Sequence, residues 1–324
     1  MEFNKNVLYM NSENEVERII GFIRNNVVER KKEGLVIGLS GGIDSALVSA
    51  LCVRALGKEK VFGLVLPEKE SNPVSRDYAE IHAKALGIRY EVNEITRELE
   101  AFGAYEKRDS IIMDLYPEYL PDKHRIKITL PGNILEKDGL NFFSLTIDDG
   151  KKVLFFERLK KHQINGIFAA TDLKQRTRMM HLYYNAERMN RLVCGTTNRP
   201  ETLQGYFVKC GDGGVDMEPI AHLYKTQVYQ LSRHLGIPPE IIDRQPSPDT
   251  FNSQVGDEEF FFRMPYDKVD MFLYAWEHGI DMEEICNVMD LSKSQVERVL
   301  RDLTSKFRST KHLRELPPSL LACR

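Results

Sequence analysis

Little in the 324-residue chain suits a membrane or a nucleic acid. No window approaches the roughly 18 consecutive apolar residues of a spanning helix, and the polar, charged N-terminus has no apolar core of signal-peptide length. Basic residues give no excess: 45 Lys and Arg stand against 48 Asp and Glu. The basic stripe that grips a phosphate backbone is therefore missing. Cysteine is scarce, and Cys52, Cys194, Cys210, Cys286 and Cys323 are odd in number, widely spaced and without a C-x-x-C pair. That excludes a disulfide framework and a structural zinc, and points to a reducing, cytoplasmic setting. Cys52, in an apolar stretch, reads as a small buried hydrophobe.

What is present is core material and one unusual turn. With 42% hydrophobic residues the chain can fill one large α/β core or two modest ones. Leu35-Val36-Ile37-Gly38-Leu39 followed by Ser40-Gly41-Gly42-Ile43-Asp44-Ser45 reads as a buried strand, a tight glycine turn and a helix start. Adjacent glycines let successive N–H groups crowd toward an anion, and the helix aims its unpaired N–H groups at the same point. Ser40 and Ser45 add hydroxyl donors, and Asp44 adds a carboxylate suited to a phosphate-bound magnesium ion. A Walker loop would end in Gly-Lys-Ser/Thr, but Asp44-Ser45 hold that place. Nor do the glycines fall at the G-x-G-x-x-G spacing of a dinucleotide fingerprint. On these residues alone the turn is a phosphate cradle or a polar turn without a ligand.

Apolar positions Val16, Ile19, Ile20, Ile23 and Val27 mark an amphipathic helix over residues 13–32. Residues 46–56 read as a helix closed by Gly57, 61–66 as a strand, 77–86 as a helix closed by Gly87, and 88–92 as a strand. This alternation specifies an α/β, doubly wound parallel sheet whose ligands sit at the carboxyl ends of strands, where residues 40–45 lie. Over 102–165 the character changes. Pro117, Pro121, Pro131, Gly132, Gly139 and Gly150 interrupt the runs 125–130, 142–147 and 153–156, as in an inserted β-rich or irregular subdomain. Regular structure returns at Ile167-Phe168-Ala169-Ala170, then a helix over 173–189 and a strand over 192–194. The polar turn Gly195-Thr196-Thr197-Asn198 is a second ligand-facing loop, and 223–235 reads as a helix closed by Gly236. Residues 246–262, rich in Pro, Ser and Asp, read as a mobile lid or a plain linker, and 265–324 as a helical segment and tail. Residues 1–324 are expected to form one domain around the insertion. His82, His234 and His278 lack partners at metal-ligand spacing and read as surface or packing residues.

In chain order, the Ser-Gly-Gly-x-Asp-Ser loop, Leu173-Lys174-Gln175-Arg176-Thr177-Arg178-Met179, Gly195-Thr196-Thr197-Asn198-Arg199-Pro200-Glu201, Gly205 to Gly213, Leu223 to Val228, and Lys311-His312 with Pro317-Pro318 resemble the ammonia-dependent NAD synthetase family of ATP pyrophosphatases. The resemblance implies an adenine-nucleotide-hydrolase-like sheet that binds ATP and deamido-NAD (nicotinic acid adenine dinucleotide) with Mg2+. The nicotinate carboxylate would be adenylated, pyrophosphate released, and AMP displaced by ammonia to give NAD. It assigns Gly38, Ser40, Gly41, Gly42, Asp44, Ser45, Arg178, Thr196, Lys225 and Ser247 to ATP, with Asp44 and Lys225 catalytic and with Asp44 and Glu201 on the metal. Asp172, Arg176, Lys209, Asp212, Asp216 and His312 fall to deamido-NAD. Arg176 and Arg178, two apart, point in different directions on a helix and serve different partners. A homodimer is implied, with ammonia drawn from solution or from a separate glutaminase subunit, because no Cys/Glu/Lys set precedes the loop.

Three features depart from the family pattern. Asp172 stands where Asn is common, Ser247 and Pro248 where Thr and Ala are usual, and residues 102–165 exceed the compact members. Two rivals follow: an amide ligase of the same chemistry acting on another carboxylate, and a non-catalytic nucleotide-binding relative. The joint presence of Asp44, Glu201 and Lys225 counts against the second. Sulfur-transfer relatives acting on tRNA are disfavoured by the missing cysteine pairs and basic surface.

Overall fold

A computed structural model of the chain describes residues 2–137, 139 and 141–320; Cys323 lies outside the described residues. Asn11 opens α1 (Ser12–Glu29) by accepting the Asn14 N–H at 3.0 Å, and the five apolar positions noted above turn to the core. β1 (Leu35–Gly38) runs into the glycine turn and α2 (Ile43–Leu56). This helix starts three residues before its apolar run because Gly42 is its N-cap. β2 (Val61–Val65), α3 (Pro73–Leu86) and β3 (Arg89–Val92) follow. α3 also starts earlier than its pattern suggests: Asn72 accepts the Val74 N–H at 3.0 Å, and Pro73 has no N–H to leave unpaired.

Residues 102–165 carry strands at the three expected runs but open with a helix that the pattern did not suggest. After α4 (Thr96–Ala101) comes a helix, α5 (Ala104–Leu115), and only then an antiparallel meander of β4 (Arg125–Thr129), β5 (Ser144–Asp148) and β6 (Val153–Arg158). α5 hides its period because two of its five buried positions are charged, Arg108 and Asp109. Residues 167–170 are not a separate element but part of α6 (Lys161–Arg188), 28 residues long. Gly166 does not break that helix. It lets α5 approach, since a Cβ there would lie 2.4 Å from the Ile111 side chain.

β7 (Leu192–Cys194) completes a parallel sheet of order β3-β2-β1-β7, with Ile37 opposite both Gly63 and Cys194. α7 (Arg199–Gln204), α8 (Lys225–His234) and α9 (Pro239–Ile242) follow, then a π turn (Glu258–Phe262), α10 (Tyr266–Glu277), α11 (Met282–Met289), α12 (Lys293–Ser309) and α13 (Lys311–Arg314). Alternate residues of β1 serve two cores: Leu35 and Ile37 pack with α1, α2, α3, α8 and α9, while Val36 packs with α4, α5 and α6. Burial on both faces explains the unbroken apolar runs of β1 and β2. The small sheet has its own core, with Ile126, Ile128, Leu145 and Ile147 meeting Ile112, Ile167, Phe251 and Val255. α10, α11 and α12 form a fourth core with Phe3 and Leu203. Among the described residues no helix is long and apolar enough to cross a membrane.

Candidate active site

A cavity of about 530 Å³ opens at the carboxyl ends of β1, β2 and β7. Its floor is the glycine turn. Gly41 has φ of 74°, and a Cβ there would sit 2.1 Å from the Ser75 carbonyl oxygen, so only glycine lets the turn lie against α3. Ser45 Oγ lies 3.0 Å from Ser40 Oγ and donates to the Gly42 carbonyl at 3.0 Å, which ties the turn to the first turn of α2. Gly38, Ser40, Gly42, Asp44 and Ser45 line the cavity.

Asp44, Glu201 and Lys225 are brought together from three helices. Asp44 Oδ2 accepts from Lys225 Nζ at 2.6 Å and Oδ1 from Asn198 Nδ2 at 3.0 Å. Asn198 also caps α7 and shares a capping box with Glu201, whose Oε2 accepts the Asn198 N–H at 3.2 Å. One asparagine thus fixes both carboxylates. A third carboxylate, Asp257, is buried beside Lys225 and accepts from the Tyr206 and Tyr266 hydroxyls at 3.0 and 2.8 Å. Burial disfavours the Lys225 charge, but Asp44, Glu201 and Asp257 together hold it protonated well above the ordinary lysine range. Burial and the Asp44 charge push Glu201 well above a normal carboxyl, and burial raises Asp257 against Lys225 and the two tyrosines.

Asp44 and Glu201, both held by Asn198, put two carboxylates at the cavity, a donor set that suits a phosphate-bound divalent cation. Among the described residues no group of three or more His, Cys, Asp or Glu is placed to hold a metal alone. One or two carboxylates completed by phosphate oxygens and water is the donor set that magnesium takes.

Thr196 and Ser247 line the cavity. The Thr196 turn rests on Glu218, which accepts the Thr197 N–H at 3.1 Å and hydroxyl at 3.0 Å. Burial pushes Glu218 up to about 7 against those bonds. Arg178 lines the cavity and donates to the Leu66 carbonyl at 3.0 Å and to Gln175 Oε1 at 2.9 Å. Asp172 and Asp212 line it too. Asp212 is open to solvent in the cavity yet ringed by protein. That enclosure, with the Asp172 charge, pushes it up to about 6 against the Val208 N–H at 2.8 Å.

The other substrate candidates lie outside the cavity lining. Arg176 Nε donates to the Lys209 carbonyl at 3.3 Å and Lys209 Nζ to the His312 carbonyl at 3.1 Å, so these three form a patch of their own. Asp216 accepts the Val193 N–H at 2.7 Å and the Tyr183 hydroxyl at 3.2 Å. His82 is buried against Ser49 and the Ala46 carbonyl, a packing role as expected. Sequence reasoning missed Asp257, Arg244 and an aromatic wall of Phe143, Phe168, Phe260 and Phe261. The run Phe260-Phe261-Phe262 was a signal for the wall; Asp257 and Arg244 offered none.

Sheet order and site place the chain in the class of α/β ATP pyrophosphatases. Comparison with known proteins narrows this. The NAD synthase family model matches residues 15–132 and 115–317. The NH(3)-dependent NAD(+) synthetase of Rhizobium meliloti is 42% identical over 319 residues, 98% of this chain and 95% of the relative. That of Methanocaldococcus jannaschii is 36% identical over 94% of this chain and 95% of its own. Among solved structures, the NH3-dependent NAD synthetase of Campylobacter jejuni matches with a TM-score of 0.64 and 25% identity, covering 96% of this chain and 100% of that one. The chain belongs to the NAD synthase family. Because the Rhizobium match covers 98% of this chain, most of segment 102–165 has a counterpart in that relative and is not peculiar to this protein.

Proposed function

We infer that the protein is an ATP-dependent, ammonia-using ligase that converts deamido-NAD to NAD, AMP and pyrophosphate. The observation that carries the reading is the Asp44–Lys225 pair at 2.6 Å, placed at the glycine turn with Glu201 alongside. A nicotinate carboxylate oxygen attacks the α-phosphorus of ATP, and the bond to the β-phosphate oxygen breaks. Ammonia then adds to the activated acyl carbon, AMP leaves with the acyl oxygen, and the surplus proton passes to solvent. Charge builds on phosphates throughout, so the chain supplies donors and cations rather than a covalent nucleophile. The turn N–H groups and Lys225 hold the phosphates, and Thr196 and Ser247 flank the nucleotide. Asp44 and Glu201 would hold Mg2+, which neutralises phosphate charge when bound. Asp172 and Asp212 face the acid to be activated, and the patch of Arg176, Lys209 and His312, with Asp216, serves the far end of the dinucleotide.

The segment 246–262 acts as a cover, since Ser247 to Phe251 line the cavity. We place the enzyme in the cytoplasm as a homodimer. Met180 and Tyr184, exposed one turn apart on α6, offer an apolar strip for a second copy. The decisive assay supplies ATP, Mg2+, ammonium and deamido-NAD. NAD and AMP should form in equal amounts, and ADP as product would overturn the chemistry. Asp44→Ala should abolish AMP formation while circular dichroism stays unchanged, and full turnover would remove Asp44 from the metal site.

A further inference from the structure

Among the described residues, Arg76, Arg178, Lys225 and Arg244 are the lysines and arginines that line the cavity. Two are already compensated, Arg76 by Glu80 at 2.8 Å and Lys225 by Asp44 at 2.6 Å. Arg178 and Arg244 have no carboxylate at ion-pair distance; their bonds go to carbonyl, amide and hydroxyl groups. Arg178 already has its place at the nucleotide. Arg244 does not.

Arg244 follows α9, half-buried, with its guanidinium 5.9 Å from the centre of the Tyr78 ring. Nη1 faces the Gly41 carbonyl at 3.5 Å, and Nη2 donates to Ser75 Oγ at 2.8 Å. Ser75 Oγ in turn donates to Asp249 Oδ2 at 3.0 Å, and Asp249 Oδ1 accepts the Asn72 N–H at 3.1 Å. Asp249 thereby commits the Ser75 hydroxyl hydrogen to itself and leaves a lone pair turned to Arg244. The glycine turn, the first turn of α3 and the covering segment all meet at Ser75. A guanidinium carries about five N–H donors, and these contacts engage only some of them. The remainder sit uncompensated beside a loop built to hold an anion.

We propose that Arg244 binds the departing pyrophosphate as a catalytic residue, and that Asp249 is a positioning residue that orients it through the Ser75 hydroxyl. The inference rests on the reading that ATP is cleaved between its α- and β-phosphates. A planar fork matches two phosphate oxygens at once, which an ammonium cannot do. Loss of such a charge-assisted contact weakens binding roughly ten- to hundredfold.

The test is calorimetric binding of inorganic pyrophosphate with Mg2+, and separately of AMP, to the full chain and to R244Q, R244K and D249N. R244Q is expected to lose about ten- to hundredfold in pyrophosphate affinity with AMP unchanged. R244K should recover part of the loss, and D249N should show a smaller loss of the same kind. Equal pyrophosphate affinity in R244Q and the parent would overturn the proposal, as would equal weakening of pyrophosphate and AMP. Should R244Q not fold, R244K, which keeps the charge but not the fork, carries the same comparison. A parent protein that releases no AMP in the full assay would overturn the ligase reading, while the binding comparison still judges Arg244 on its own.

Discussion

Asp270 is fully buried in α10, with Oδ2 accepting the Thr226 N–H at 2.7 Å and Oδ1 without a hydrogen-bond partner. Burial pushes its carboxyl from 3.8 up to about 7, against the Thr226 bond and the nearby Lys225 charge. Between those values the folded chain keeps a proton that the unfolded chain has lost. The stabilisation is therefore complete below the unfolded value and disappears as pH rises through about 7. Asp270→Asn keeps an acceptor for Thr226 and cannot titrate. Between pH 5 and 8 about two pH units of that window are crossed, which at ~1.36 kcal/mol per unit gives about 3 kcal/mol. Urea unfolding of both proteins at pH 5 and pH 8 isolates the effect, because all other groups titrate alike in the two. The parent should lose about 3 kcal/mol relative to the variant over that range. A difference constant within ~0.5 kcal/mol would refute the account, since that is the scatter expected of independent sites. Activity should survive, because Thr226 follows Lys225 in α8 and its N–H bond is kept.

Gly41→Ala places a Cβ against the Ser75 carbonyl at a left-handed φ. ATP binding should weaken tenfold or more, on the order of 1.4 kcal/mol; isothermal titration with a non-hydrolysable analogue checks it. Arg108 is buried and forms two bonds of 2.6 and 2.7 Å to Glu70, which also accepts from Lys174 at 2.7 Å. Arg108→Met should cost about 3–5 kcal/mol in urea unfolding, because it leaves Glu70 with Lys174 alone and takes from buried Asp109 its partner at 2.8 Å. Although burial opposes ionisation, Arg108 and Lys174 hold Glu70 down to about 2. That stabilisation is present above the unfolded value of 4.5 and is lost as pH falls toward 2, so Glu70→Gln should flatten the acid limb of the stability curve.

The parallel sheet was legible because β1, β2 and β7 are buried on both faces and read as plain apolar runs alternating with helical patterns. The glycine turn, Asp44, Glu201 and Lys225 were legible through motifs, and the structure brings them within hydrogen-bond reach of one another or of Asn198. α5 was not legible because Arg108 and Asp109 occupy buried positions, where Arg108 pairs with Asp109 beside it and with Glu70 from a distant segment. Sequence periodicity does not register charges that are buried by pairing. Asp257 was missed for the same reason: its hydroxyl partners, Tyr206 and Tyr266, are recognisable only after folding. Gly166, inside α6, is a packing gap filled by Ile111, a contact between helices that no local pattern encodes.

α6 has one more consequence. At ~1.5 Å per residue its 28 residues span about 42 Å without interruption. Ile167, near one end, sits in the core of the small antiparallel sheet, and Leu182 and Ala186, toward the other, sit in the core of the parallel sheet. The two sheets therefore share a single axle. Asp172 and Arg178 lie on the stretch of α6 between the two cores, so this part of the cavity wall is built on an element that both sheets pack against.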